Sequence, residues 1–98
     1  NATNTKASAG TVWSIVASNI NAAARYLKLY NKASAPTVGT DTPVLTIPLP
    51  AGGVAQIDGG SNGIRFGTGI AWALTVSAAD SATDAVAAGE HKIAIAYT

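Results

Sequence analysis

The amino-acid sequence predicts an all-β fold, a single-domain β-sandwich or small jelly-roll-like barrel of about seven to eight antiparallel strands. Short segments in which apolar residues alternate with polar or small ones recur along the chain, which is the pattern of half-buried strands. Clusters of Gly, Pro, Ser, Asn and Asp separate these segments at nearly regular intervals, as turns do in sandwiches and barrels. A chain of 98 residues has room for one hydrophobic core.

The N-terminal residues differ in pattern from the remainder. Residues 1–10 predict an extended N-terminal arm, and residues 11–98 predict the β-sandwich domain. An extended polar arm can become ordered on a neighbouring subunit. Residues 1–9 are therefore a candidate assembly segment.

The first predicted strand of the domain covers residues 11–17 (TVWSIVA). Its alternation places Trp13 and Ile15 on one face of the strand and Val12, Ser14 and Val16 on the other. The pattern assigns that face, with Trp13, to the hydrophobic core.

The second predicted strand, residues 25–31 (RYLKLYN), alternates more sharply. Leu27 and Leu29 share the predicted core face. The side chains of the opposite face combine apolar stems with polar tips, which is typical of a surface or an interface. The candidate interface residues on that face are Tyr26, Lys28 and Tyr30.

Residues 44–49 (VLTIPL) predict an edge strand. Proline has no backbone N–H and cannot donate a hydrogen bond to a neighbouring strand, so within sheets it is found mainly at edges. The segment contains or adjoins Pro43, Pro48 and Pro50, and these prolines mark a second candidate interface.

Residues 54–58 and 64–68 predict a hairpin pair. The loop between them, residues 59–63 (GGSNG), consists largely of residues that tolerate positive φ. Further along, residues 78–89 predict a loop with at most one helical turn, because helix formers there are mixed with Asp, Ser and Thr.

The last two predicted strands carry alanine on one face. In residues 69–77 (GIAWALTVS) the large side chains, Trp72 among them, share the predicted core face, and residues 92–98 (KIAIAYT) repeat the pattern. Alanine stands where a solvent-facing strand normally carries charged side chains. Two explanations are open: a loop of the same chain covers these faces, or another subunit does.

The composition excludes several kinds of chemistry. Lys and Arg number 6 against 5 Asp and Glu, a net charge of +1, so charge favours neither nucleic acid nor an anionic membrane. The chain has no cysteine and one histidine, which removes disulfides, thiolate chemistry and multi-histidine metal sites. Only 11% of residues are charged, against about 25% in a typical soluble domain, so we expect a partner to cover part of the surface.

Two motif matches do not predict a site. Residues 59–63 fit the G-x-S-x-G nucleophile pattern, and Asp80 or Asp84 and then His91 follow in hydrolase order. That pattern needs a helix after the serine, whereas an extended segment follows this loop. Asp80 and Asp84 lack the further ligands of a calcium loop. The sequence therefore predicts no enzyme, no cofactor and no metal site.

Ordered blocks of the sequence are more specific than these motifs. The blocks are residues 24–32 (ARYLKLYNK), 35–43 (APTVGTDTP), 47–53 (IPLPAGG), 66–71 (FGTGIA), 78–81 (AADS) and 86–89 (VAAG). Together they resemble a family of small tailed-phage and prophage virion proteins, and the resemblance covers most of the chain. It implies a virion structural protein with no catalytic residues.

The resemblance and the length together favour a capsid decoration (cement) protein located in the virion. Its expected partners are the major capsid protein and copies of itself in a homo-oligomer, with no nucleic-acid or membrane partner. The family also includes modules of tail and fibre proteins, so a tail, baseplate or fibre component is the first alternative. A carbohydrate-binding module is the second, with a sugar-stacking platform of Trp13, Trp72, Tyr26 and Tyr30.

Overall fold

The protein is built from strands and connecting loops alone, over the part of the chain that its structure describes. The structure is a computed structural model and describes residues 2–87 and 89–98. Asn1 of the predicted arm and Ala88 of the last sequence block lie outside those residues. The strands are β1 (Thr3–Lys6), β2 (Gly10–Asn19), β3 (Arg25–Asn31), β4 (Leu45–Leu49), β5 (Val54–Asp58), β6 (Ile64–Phe66), β7 (Ile70–Thr75) and β8 (His91–Tyr97).

The strands form two antiparallel sheets. The first sheet has the order β1-β7-β3-β4, and in the second sheet β2 is central, with β5 and β6 along one side and β8 along the other. This arrangement confirms the predicted all-β class. It also confirms that β4, with Pro48, is an edge strand.

The hydrophobic core lies between the two sheets and draws on both. Its fully buried members are Val12, Ile15 and Ala17 of β2, Leu27 and Leu29 of β3, Ile47 and Leu49 of β4, Phe66 of β6, and Ile70 and Leu74 of β7. Trp72, Ile93 and Ile95 are partly buried against this cluster. The predicted core faces of β3, β4, β7 and β8 therefore point inward.

The alternation of β2 predicts that Trp13 faces the core, and this prediction is wrong. Val12 and Ile15 are both buried although they are three residues apart. The ladder with β8 explains this spacing, because Val12 faces Tyr97, Ser14 faces Ala96, and Trp13 between them has no opposite residue. Such a β-bulge inserts an extra residue and shifts the alternation. Trp13 consequently points outward with 38% of its surface exposed.

β5 and β6 do not form the predicted hairpin pair. Both strands pair with β2, one after the other: Asp58 faces Ser14, and Ile64 faces Val12. Residues 59–63 thus leave the edge of the sheet and return to it. The two ends of this loop lie close together, since a Cβ on Gly59 would lie 2.9 Å from the Cα of Gly63.

The N-terminal segment is not a free arm. β1 pairs antiparallel with β7 and completes the edge of the first sheet. The side-chain amide of Asn4 donates to the carbonyl oxygens of Lys6 and Lys32, each at 3.1 Å. The indole N–H of Trp72 donates to Oγ1 of Thr5 at 3.2 Å. β3 pairs with one side of β7, and β1 pairs with the other. The prediction of an extended arm did not include this pairing.

The segment after β7 contains no helical turn among its described residues. Thr75 and Ala85 form an isolated antiparallel bridge, and the N–H of Ala82 donates to the carbonyl of Ala79 at 3.0 Å. The described residues also include no helix of the length and apolar character needed to cross a membrane.

Candidate functional site

The residues of the hydrolase-like match do not come together. The loop at residues 59–63 lies beside Val12 and Trp13, whereas His91 pairs with Asn19 at the other end of β2. Seven residues of extended strand separate these two places, a distance of about 24 Å. Burial lowers the pKa of His91. Among residues 2–87 and 89–98 there is no group of three or more His, Cys, Asp or Glu side chains that could hold a metal ion.

The outer face of the first sheet is covered by the chain itself. Lys28 is 0% exposed and Tyr30 is 1% exposed, so the prediction that these two side chains lie at a surface is wrong. Tyr26 on the same face is partly buried. The covering segments are residues 32–44 and residues 76–87, which we call the roof.

Specific contacts hold the roof on the sheet. The ammonium of Lys28 donates to the carbonyl of Ala79. Val38 packs against a buried cluster of Tyr30, Ala71 and Ala73. The roof is thus anchored to both β3 and β7.

The two segments of the roof also touch each other. Gly39 has φ of +90°, and a side chain at this position would collide with Thr83. Glycine is needed here for both reasons, because it adopts positive φ without strain and leaves room for the neighbouring loop.

Two carboxylates organise the roof internally. Asp41 lies 2.5 Å from the ammonium of Lys32 and accepts the N–H of Thr37 at 2.7 Å. Asp84 accepts the hydroxyl of Ser77 at 2.6 Å. The hydrogen bond from Lys32 lowers the pKa of Asp41, and the hydrogen bond from Ser77 lowers the pKa of Asp84.

The hydroxyl of Tyr30 is the unusual group beneath the roof. It is buried and has no hydrogen-bond partner among the described residues. Burial raises the pKa of Tyr30, and the negative charges of Asp41 and Asp80 add to the effect. Tyr30 is therefore a packing residue of the first sheet.

The outer face of the second sheet has the opposite character. We call it the bare face; its members in paired rows are Asp58, Ser14 and Ala96, then Gln56, Val16 and Ala94, then Val54, Ser18 and Lys92. Val16 is 41% exposed and Val54 is 62% exposed. Together with Lys92 and Ala94 they line a shallow groove of about 310 Å³.

An exposed aromatic side chain, Trp13, lies next to the bare face and is 38% exposed. Tyr97 at the end of β8 is 43% exposed, but it pairs with buried Val12 and therefore lies on the core side of the sheet. The indole N–H of Trp13 donates to Oγ1 of Thr98 at 3.3 Å. A Cβ on Gly63 would approach the Trp13 ring at 3.0 Å, so the glycine allows the loop at residues 59–63 to lie against the indole.

The proline-marked edge remains accessible in part. Pro48 and Pro50 are exposed and Pro43 is partly buried. Val44, between Pro43 and β4, is 60% exposed. This edge stays a candidate interface. It belongs to a different sheet from the bare face, and the turn at residues 50–53 joins its strand β4 directly to β5.

Sequence reasoning missed Trp13 as a surface residue and Val12 as a core residue. The alternation placed Val16 on the face opposite Ile15, and Val16 is exposed. No face was predicted for Val54, which is exposed and alternates with the partly buried Ala55 and Ile57. Alternation alone gives two possible phases, and the larger side chain is usually assigned inward. No signal in the sequence indicated the bulge that turns Trp13 outward.

Comparisons with known proteins add no family. No family model matches the chain, and neither the curated proteins nor the solved structures include a match to it.

Proposed function

We propose that this protein is a non-enzymatic structural component of a bacteriophage virion, a decoration (cement) protein that binds the major capsid protein and copies of itself. The observation that carries the proposal is the bare face, a solvent-facing sheet surface on which Val16, Val54 and Ala94 form an exposed apolar groove among small and polar side chains. The sequence blocks that resemble small tailed-phage proteins supply the biological setting.

The bare face suits burial against another folded surface. Small side chains such as Ala94 and Ser18 allow the backbone of a partner to approach closely. Removal of the exposed valines from water makes the free energy of binding more favourable. Contiguous exposed apolar patches on soluble domains commonly mark sites of interaction with another molecule. A face of this kind, repeated over a shell, gains strength from multivalency even when each contact is weak.

The charges on the bare face do not favour a polyanionic partner. Lys92 lies in the row of Val54, and Asp58 lies in the row of Ala96, so the two opposite charges occupy opposite corners. With a net charge of +1 for the whole chain, the attraction to nucleic acid phosphates is small.

The test is a binding experiment with undecorated, expanded phage heads. We expect regular occupancy at lattice positions when bound copies are counted by imaging, with purified tails as the control. Binding to tails alone would move the protein to the tail, baseplate or fibre alternative. Binding to neither would contradict a virion role.

A matched pair of variants identifies the surface involved. Val54 and Val44 are the same residue type with nearly equal exposure, 62% and 60%, but Val54 is on the bare face and Val44 adjoins the proline-marked edge. We expect Val54→Lys to reduce head binding at least tenfold and Val44→Lys to leave it within about twofold, because a charge buried without a partner is costly. The reverse result would assign binding to the edge of β4.

The exposure of Trp13 favours carbohydrate binding as a second candidate function. An aromatic ring with a free face can stack on a sugar ring, and Trp13 has an exposed ring beside the polar loop at residues 59–63. A glycan array followed by calorimetry tests this directly. Loss of binding in Trp13→Ala with retention in Val54→Lys would support a glycan site, and absence of any glycan hit would end this candidate.

A further inference from the structure

Of the four sheet edges in residues 2–87 and 89–98, three carry features that disfavour the addition of another strand. β1 is 4 residues long, and its register is irregular between Asn4 and Lys6. β4 contains Pro48, which has no N–H to donate. Along β2, the loop at residues 59–63 separates the short strands β5 and β6.

The fourth edge, β8, has none of these backbone features, and its one lysine, Lys92, lies near the start of the strand. It is 7 residues long and contains neither proline nor glycine. The bulge in its ladder lies on β2, where Trp13 is the extra residue, so β8 itself is regular. Over residues 2–87 and 89–98, β2 is the strand with which β8 pairs. The N–H and C=O groups on its outer side are therefore open to a further strand.

We infer that β8 pairs with β8 of a second copy of this chain, antiparallel about a twofold axis at Ala94. The second sheet of each copy would then join that of the other in one continuous sheet. The partner is a second copy because the sequence Ile93-Ala94-Ile95 is symmetric about Ala94. In this register Ala94 opposes Ala94, and Ile93 of each chain opposes Ile95 of the other. Both isoleucines point toward the core side, where they are only partly buried.

The charges of β8 are compatible with this register. Lys92 opposes Ala96 of the second copy and not another lysine, and like charges directly opposite each other are what destabilises a strand pair. Ala94 and Ala96 are exposed and small, so the two strands can approach without steric conflict. The bare faces of the two copies then form one surface of twice the area.

The contact is small, which sets the expected affinity. Two strands of 7 residues share roughly six to eight backbone hydrogen bonds when paired antiparallel. The buried area is below that of a standard stable interface, about 1,600 Å². We therefore expect a reversible dimer with a Kd on the order of 100 µM or tighter.

Sedimentation equilibrium of the 98-residue chain tests the inference, with samples up to about 1 mM. Ala94→Lys places two like charges opposite each other at the axis, and we expect it to weaken the dimer at least tenfold. Gln56→Lys is the matched control, since Gln56 is an exposed residue of the same row, on the opposite edge of the same sheet. We expect it to change the Kd by less than about twofold. A chain that remains monomeric at 1 mM, or equal effects of the two variants, would overturn the inference.

A mixing experiment guards against misfolding of the variants. Ala94→Lys and Ala94→Glu should each be monomeric alone and should form a heterodimer when mixed, because opposite charges then meet at the axis. A wild-type dimer whose two variants do not associate would overturn the Ala94-centred pairing.

This inference rests on the proposed function only for the expectation of self-association. The measurement uses the isolated chain in solution. A monomer that nevertheless decorates phage heads would overturn the inference alone, and a dimer that binds no part of the virion would overturn the proposed function alone.

Discussion

The outer face of the first sheet lies beneath the roof, whereas no segment of residues 2–87 or 89–98 covers the bare face of the second sheet. The two faces carry similar residues: Ala71 and Ala73 of β7 are fully buried, and Ala94 and Ala96 of β8 are exposed. Alanine is compatible with either environment because its side chain is small and weakly apolar. The difference therefore comes from where the loops pass over the sandwich.

Lysine shows the same contrast. Lys28 is 0% exposed beneath the roof, and Lys92 is exposed on the bare face. The long apolar stem of lysine can be buried when its ammonium reaches a polar group, and the carbonyl of Ala79 provides one for Lys28. Burial of a charged residue in this protein thus marks the anchoring of a loop.

The largest expected effect that distinguishes the two faces comes from Tyr30→Ala. Tyr30 is 1% exposed, so its truncation leaves a cavity under the roof and should reduce the free energy of unfolding by about 3–5 kcal/mol. Chemical denaturation measures this change. Tyr30→Phe is the control: it removes a hydroxyl that has no partner and should not destabilise the protein. A loss below about 1 kcal/mol in Tyr30→Ala would contradict the burial of this face.

Acid should loosen the roof before the second sheet. The pKa values of Asp41 and Asp84 are lowered by hydrogen bonds within the roof. A carboxylate with a lowered folded pKa stabilises the folded state above its unfolded pKa, about 4, and this contribution is lost as the pH falls through the folded pKa.

Amide exchange protection, corrected for intrinsic rates, checks the acid effect. The N–H of Thr37 donates to Asp41, and the N–H of Ser77 donates to Asp84 at 3.3 Å. We expect these two N–H groups to lose protection below about pH 4 while amides in the middle of β2 remain protected. Asp41→Asn and Asp84→Asn should show reduced protection of these same amides already at neutral pH. A uniform loss of protection in both sheets at one pH would show that the roof is not a separate unit.

The smallest expected effect on stability comes from Val54→Lys on the bare face. Val54 is 62% exposed, so a lysine there remains in water and should change the free energy of unfolding by less than about 0.5 kcal/mol. Thermal unfolding beside Val44→Lys provides the comparison. A loss above 1 kcal/mol would mean that the bare face is packed within the monomer.

The sequence predicted the positions of the strands better than it predicted which strands pair with each other. The alternation of Leu27 and Leu29, of Ile93 and Ile95, and the proline in β4 were sufficient to locate strands and one edge, because local pattern and the missing N–H act within a single segment. The pairing of β1 with β7 and of β5 and β6 with β2 could not be predicted in this way, since it depends on residues that are distant in the sequence.

The candidate site was the least predictable part. The pattern of β3 predicted that Tyr26, Lys28 and Tyr30 share the face opposite the core, and they do, but not that a roof buries two of them. It predicted that Trp13 is in the core, and one extra residue in β2 turns that ring outward. A bulge is set by the fit between two strands and leaves no periodic signal in either one.

By itself, the sequence determined the all-β class and most of the side chains that face the core between the sheets, because these follow from the two-residue period of a strand. Only the tertiary structure decided which outer face is covered, since the paths of residues 32–44 and 76–87 depend on contacts such as Lys28 with Ala79. The same long-range packing left β8 and the bare face open, and those are the surfaces through which we expect this protein to bind its partners.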